Sequence, residues 1–318
     1  MPSYTVQNVL AEYKCLSPPV AEIKLPLADV IITPEETVMA KHALCIGVNN
    51  YPGTHMDLQG CVNDANDWAA ELGTRGFVVN KLLDEQATKA AMVVAFKAVI
   101  GGAVSGDVVV ITFSGHGTYV PDINGDEVDG LDEALCPYDL QTGGAALIDD
   151  EIHALFAARK PDVRLVLISD SCHSGTVTRA AGADPDADDA PRPRFMPMGN
   201  WLPADKLPRG PSGKPLSTVA VTSGLSPFAN ALSRGEGDLL LSGCKEGANN
   251  FSYDARIKGR PTGAFTYYAL KALKTLKPDA TYADWHAAIN PTHLPSVSYP
   301  QSPQIVGSAE ARRYKIFT

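Results

Sequence analysis

Two short polar motifs hold residue types capable of nucleophilic catalysis. Ser114-Gly115-His116-Gly117 closes the apolar run DVVVITFSG at 107–115. Asp170-Ser171-Cys172-His173-Ser174-Gly175 closes a second run, RLVLISDS at 164–171. A thiolate is the reactive form of cysteine, and a free thiol near neutral pH is mostly protonated. Cys172 therefore needs a base beside it, and His116, in the upstream motif, is the candidate. Glycines next to both residues let the backbone turn sharply and approach a substrate closely. A structural histidine or an inert buried cysteine would sit among apolar neighbours, and neither residue does. His173 follows Cys172 directly, and on an extended chain it points to the opposite face. His42, His55, His153, His286 and His293 belong to no motif. Asp170, two before Cys172, shares its strand face by period-two alternation, so a carboxylate accompanies the nucleophile.

The elements that must position these groups follow from hydrophobic pattern. HALCIGV (42–48), FVVNKLL (77–83), DVVVITFSG and RLVLISDS read as strands; 60–74, 87–100 and about 149–159 read as helices. The two runs that precede the motifs are apolar throughout, as strands covered on both faces must be. Alternation of strand and helix predicts an α/β fold, with a mostly parallel central sheet flanked by helices in three layers. Right-handed crossovers then bring the strand C-termini, with His116 and Cys172, to one edge. Four segments follow: an N-terminal arm at 1–40, a catalytic region at 41–175, a proline-rich exposed loop at 176–215, and 216–318 completing the same sheet. In the last, STVAVTSG (217–224), DLLLSGC (238–244) and a final segment around 312–317 read as strands, and 263–276 and 281–290 as helices.

Composition narrows the function classes. The formal net charge is −9 and the pI about 5.2, which disfavours nucleic acid, whose phosphates demand Lys and Arg. None of the six cysteines forms a CxxC pair, so a zinc or redox motif has no support. The start MPSYTVQNVLAEYK lacks a basic segment followed by an apolar one, and no apolar run approaches the roughly 20 residues of a membrane span. The expectation is a cytoplasmic protein with reduced thiols, binding neither nucleic acid nor membrane.

The motifs resemble those of metacaspases, in the caspase–hemoglobinase fold group. The resemblance rests on HALCIGVNNY, GCVNDA (60–65), FSGHG (113–117), DINGDEVDGLDEALCPYD (122–139), DDE (149–151), DSCHSG (170–175) and GAFTYYAL (263–270), which matches the small-subunit helix. It implies a cysteine endopeptidase with Cys172 as nucleophile and His116 as base, and the backbone N–H groups of Gly117 and Cys172 as oxyanion hole. It also implies an acidic specificity pocket at positions resembling Asp64, Ser114 and Asp170. Two carboxylates facing one pocket favour a guanidinium or ammonium group, so protein or peptide substrates with Arg or Lys at the cleaved position are expected.

The chemistry requires no cofactor, and calcium is a candidate activator. Asp122 to Glu133 has the length of an EF-hand loop, but Glu127 occupies the position that needs glycine. The calcium site that the resemblance implies uses Asp149, Asp150 and one carboxylate of the Asp132–Glu133 region. A further family ligand falls on Arg179, which cannot hold a cation. The 176–215 loop carries Arg179, Arg192, Arg194, Lys206, Arg209 and Lys214, so an enzyme cutting after basic residues would meet its own sites there. The alternatives are a caspase-like peptidase of other specificity, an inactive scaffold of the same fold, and a calcium-binding module.

Overall fold

The β-branched run at 107–115 folds as a strand whose every residue is buried, and the architecture grows outward from it. The computed structural model describes residues 39–122, 131–172, 190–209, 238–245, 250–289, 294–296 and 299–318. Residues 1–38 of the N-terminal arm, and STVAVTSG, lie outside them. In chain order the elements are β1 (Lys41–Gly47), α1 (Cys61–Thr74), β2 (Val78–Leu83), α2 (Lys89–Gly102), β3 (Val108–Ser114), β4 (Gly117–Pro121), β5 (Leu131–Leu135), β6 (Leu147–Ile148), α3 (Asp149–Ala157), β7 (Arg164–Asp170), β8 (Arg192–Pro193), β9 (Leu239–Ser242), β10 (Tyr253–Ile257), β11 (Arg260–Gly263), α4 (Ala264–Leu273), α5 (Tyr282–Ile289), β12 (Leu294–Ser296), β13 (Tyr299–Gln301) and β14 (Gln304–Gly307).

The central sheet has the order β14-β9-β7-β3-β1-β2. The pairs from β9 to β2 are parallel and β14 runs antiparallel to β9. Period-two alternation sends Ile46, Ile111 and Leu167 to one face, under Phe96 of α2 and Phe156 of α3. It sends Cys45, Val110 and Ile168 to the other, under Trp68 of α1, Phe265 of α4 and Trp285 of α5. Each such fully buried aliphatic side chain contributes about 1.5–3 kcal/mol of apolar transfer. Both faces being covered explains why these strands read as continuous apolar runs.

Register fixes the catalytic edge. Ser114 at the end of β3 stands opposite Gly47 of β1 and Asp170 of β7. His116 and Cys172, each two positions further on, thus leave the sheet side by side. A small sheet of β4, β5 and β6 and another of β11, β10 and β8 flank this edge.

Two expectations are corrected. The last strand of the central sheet is Gln304–Gly307, not 312–317. The later segment begins in a 3₁₀ turn at Ala311–Arg313, and its Ile316 and Phe317 pack beneath Tyr282 and Trp285. Its apolar residues signal burial rather than pairing in the central sheet. The proline-rich stretch is not exposed where it passes the site, since Arg194, Phe195, Met196, Met198 and Trp201 are buried, while 203–206 are exposed as expected.

Candidate active site

His116 is set by three contacts. Its backbone N–H donates to Tyr51 Oη at 2.7 Å. Gly115 permits this approach, since a Cβ there would lie 2.6 Å from that oxygen. The ring packs against Tyr51 with centroids 4.9 Å apart. Nε2 meets the Met56 carbonyl oxygen at 2.6 Å. A carbonyl can only accept, so Nε2 carries the proton and the lone pair sits on Nδ1. Nδ1 is buried without a hydrogen-bond partner among the described residues, leaving it available to take a proton. Burial pushes the imidazole pKa down to about 4, although the Met56 carbonyl favours its protonated form. The ring is therefore a neutral base at neutral pH.

Cys172 is fully buried, next to Tyr119, Phe195, Phe251 and Tyr253. What covers it is the chain's own segment 190–202. This segment enters as β8, antiparallel to β10, with Pro193 opposite Tyr253 and Arg192 opposite Asp254. The Arg194 N–H then donates to the Ser252 carbonyl at 2.8 Å. The Arg194 carbonyl oxygen accepts two N–H groups, from Gly117 at 3.0 Å and from Cys172 at 3.1 Å. Beyond it Met196 donates to the Gly117 carbonyl at 2.8 Å. The segment thus crosses the site with its backbone paired on both sides of a bend at Arg194.

The Arg194 side chain is 0% exposed and ends among three carboxylates. Nη2 lies 2.7 Å from Asp64 Oδ2 and 2.9 Å from Asp254 Oδ1; Nη1 lies 3.1 Å from Asp170 Oδ2 and 3.2 Å from the Asp170 carbonyl. Burial opposes the guanidinium charge, but Asp170, Asp64 and Asp254 outweigh it and hold its pKa well above the ordinary value. Burial and the neighbouring Asp170 carboxylate push Asp64 up to about 7, against the pull of Arg194.

Each carboxylate is fixed by neutral donors as well. Asp64 accepts from Thr262 Oγ1 and the Gly263 N–H. Asp170 accepts from Ser252 Oγ, the Thr266 N–H and Thr266 Oγ1. Asp254 takes the N–H groups of Gln59 and Gly60, just ahead of α1. A Cβ on Gly263 would collide with the Asp170 carboxylate and with Arg194, so glycine there keeps the pocket open. Ser114 is buried beside Asp170 in register, while the carboxylates hold the guanidinium.

Sequence reasoning missed Asp254 as a third acid and Arg194 as the pocket's occupant. Asp254 is remote from Asp64 in the chain, and no motif surrounds it. Its strand, YDARI, carries Arg256 beside it and so gave no signal of a buried acid.

The segment beyond Arg194 is rooted in the core. Phe195 packs on Tyr119 with ring centroids 5.5 Å apart. Met196 and Met198 are fully buried, at about 1.5–3 kcal/mol each. Thr118 Oγ1 donates to the Met196 carbonyl at 2.7 Å and accepts from Trp201 Nε1 at 3.4 Å. On the other side of Arg194, residues 190–193 are only half-buried.

Of the calcium candidates, Asp132 and Glu133 lie in β5, with Glu133 opposite Tyr119, which packs with Cys172. Asp149 and Asp150 open α3, next to the Ala134–Ile148 pair. Among the described residues no three His, Cys, Asp or Glu side chains gather into a group that could hold a metal ion. Arg179 and His173 lie outside the described residues. Among the described residues no helix is long and apolar enough to cross a membrane.

Comparison with known proteins places this arrangement. Residues 41–180 match the family model described as metacaspase, peptidase C14 domain. Metacaspase-1 of Cryptococcus neoformans is 32% identical over 265 residues, covering 76% of this chain and 57% of the relative. Metacaspase-1 of Mycosarcoma maydis is 30% identical over 289 residues, covering 84% and 70%. Metacaspase-1 of Arabidopsis thaliana is 32% identical over 260 residues, covering 76% and 61%. The chain therefore spans well over half, but not all, of each of these relatives. The crystal structure of protein GSU0716 from Geobacter sulfurreducens superposes with a TM-score of 0.62 at 28% identity, covering 88% of this chain and 98% of that one. With identity of this order over most of the chain, and with the motif residues converging on one sheet edge, the chain belongs to the metacaspase family, peptidase C14.

Proposed function

We propose that this chain is a cysteine endopeptidase that cuts after arginine, and that its first substrate is its own Arg194–Phe195 bond. One observation carries the reading: Arg194 places its guanidinium among three buried carboxylates while its carbonyl oxygen takes both N–H groups of Gly117 and Cys172.

The steps follow from that placement. His116 Nδ1 takes the Cys172 proton, and the thiolate attacks the arginine carbonyl carbon. Charge developing on the oxygen is met by the two N–H groups, already within hydrogen-bond distance and away from water, where such donors act most strongly. The imidazolium then gives its proton to the departing amine, here that of Phe195, leaving an acyl-enzyme that water hydrolyses. Arginine is preferred to lysine because the fork of two Nη groups reaches all three acids, whereas an ammonium is a single point charge. The same acids repel an aspartate.

Calcium enters the proposal only as an activator, near Asp132, Glu133, Asp149 and Asp150. No step of the chemistry is routed through it.

The test is to incubate purified wild type and Cys172→Ala and sequence any new N-termini, alongside fluorogenic peptides ending in Arg, Lys or Asp. The expected result is a Phe195 N-terminus in wild type alone and the fastest release from Arg peptides. Preference for Asp, or equal cutting of both proteins, overturns the proposal.

A further inference from the structure

The two sides of the Arg194–Phe195 bond are held unequally. On the arginine side Arg194 is held by its guanidinium among the three acids and by its N–H on Ser252. Residues 190–193, however, are half-buried, and the pairing with β10 is made by Arg192 and Pro193, of which Pro193 has no N–H to donate. On the phenylalanine side the chain is part of the fold. Met196 packs into the cluster under α2 and α3, and Phe195 and Met198 into the cluster around Cys172. Met196 is bonded to Gly117 and Thr118, and Trp201 to Thr118. After scission the arginine side can withdraw, but the new amine at Phe195 stays where the leaving group stood.

We infer a second activity from this asymmetry: in the cut enzyme the α-amine of Phe195 competes with water for the acyl-enzyme, so Cys172 acts as a transpeptidase that reseals its own bond or joins other peptides ending in arginine to Phe195. The inference rests on the proposed self-processing. The step is the reverse of cleavage. The Phe195 amine attacks the thioester carbonyl, whose oxygen draws on the Gly117 and Cys172 N–H groups. The carbon–sulfur bond breaks, Cys172 leaves as thiolate, and the surplus proton of the amine passes to His116 Nδ1 and on to the thiolate. No oxidant, reductant or further reactant is consumed. An amine fixed beside the reacting carbon has an effective concentration of order 10⁵ M or more, far above that of water. Resealing restores a plug in the cleft, so the same step limits the enzyme's own turnover.

The experiment uses the full chain after it has processed itself. Cut enzyme is mixed with an acetylated peptide ending in an arginine aminomethylcoumarin amide, and intact and tandem mass spectra are recorded. The expected product is the fragment beginning at Phe195 carrying the acetyl-peptide acyl group on its α-amine in most copies, with an early burst of coumarin that slows as the adduct accumulates. Trp201→Phe loosens the anchor and lowers the ratio of transfer to hydrolysis severalfold. Peptide hydrolysis by cut enzyme with the Phe195 amine unmodified overturns the inference and leaves self-processing standing. Absence of any Phe195 N-terminus overturns both. Acylation of the Phe195 amine that proceeds equally when Cys172 is alkylated after cutting also overturns the inference.

Discussion

The backbone nitrogen of Cys172 lies 3.1 Å from the carbonyl oxygen of Arg194, which returns to it from further along the chain. The nucleophile's own amide therefore polarises the bond proposed for attack. The same arginine's side chain satisfies acids from α1, β7 and β10. A single residue thus engages the proposed oxyanion donors and the acidic pocket together.

Replacing that residue tests whether opening the cleft depends on the cut. Arg194→Ala should stop the cut before Phe195 and, because the uncut segment still lies over Cys172, slow cleavage of added Arg peptides as well. It also leaves three buried carboxylates without their cation, which costs about 3–5 kcal/mol. Chemical denaturation should show that loss shrinking at lower pH, where the acids take up protons instead. An Arg194→Ala protein that still yields a Phe195 N-terminus would contradict the assignment.

The third acid should matter as much as the first two. Asp254→Asn removes one partner of a buried charge pair, worth about 2–5 kcal/mol. At about 1.4 kcal/mol per decade this is roughly a 30-fold or greater loss in kcat/KM for Arg peptides. Since Asp254 also accepts the Gln59 and Gly60 amides, the asparagine, which keeps an oxygen acceptor, is the informative variant. An unchanged kcat/KM in folded Asp254→Asn would remove it from the pocket.

Substrate affinity should depend on pH with a definite sign. Burial raises Asp64 to about 7 even with a guanidinium beside it. An emptied pocket lacks that cation and holds its proton more tightly. An incoming arginine must displace the proton, so KM for Arg peptides falls as pH rises above about 7, the value Asp64 keeps when the guanidinium is bound. Asp64→Asn should flatten this dependence while raising KM throughout. A wild-type KM that does not change over that window counts against the buried acid.

Calcium should change the rate without changing what is cut. Activity on Arg peptides is expected to rise severalfold over a chelated sample, with Asp149→Asn reducing the response and leaving the chelated rate unaltered. Equal rates with calcium and with chelator would retire calcium as an activator.

Much of this site can be read in the chain. The runs ending at Ser114 and Asp170 are long, apolar and followed by glycine-bounded polar residues, a pattern that local rules decode well. The prolines of 190–209 misled for a physical reason. Proline marks extended chain that cannot join a central strand, and such chain suits a solvent loop and a protease cleft equally. Only the burial of Arg194 and Met196 separates the two. Asp254 was illegible because its role arises from a contact between β10 and the start of α1, which are distant in the chain. The segment 312–317 misled because it is buried and bridged only at Thr281–Lys315, outside the central sheet, which leaves much the same signature as a strand.

The interleaving of β7 with β9 in one sheet has a temporal consequence. A molecule cut at Arg194 remains a single body while folded, since β9 and β14 complete the sheet begun by β1, β2, β3 and β7. Its unfolding, however, becomes a dissociation, and recovery requires two chains to meet again at cellular dilution. An intact molecule can unfold and return many times; a cut one has a working life set by its first unfolding event. The scission that opens the cleft would thereby also start a clock.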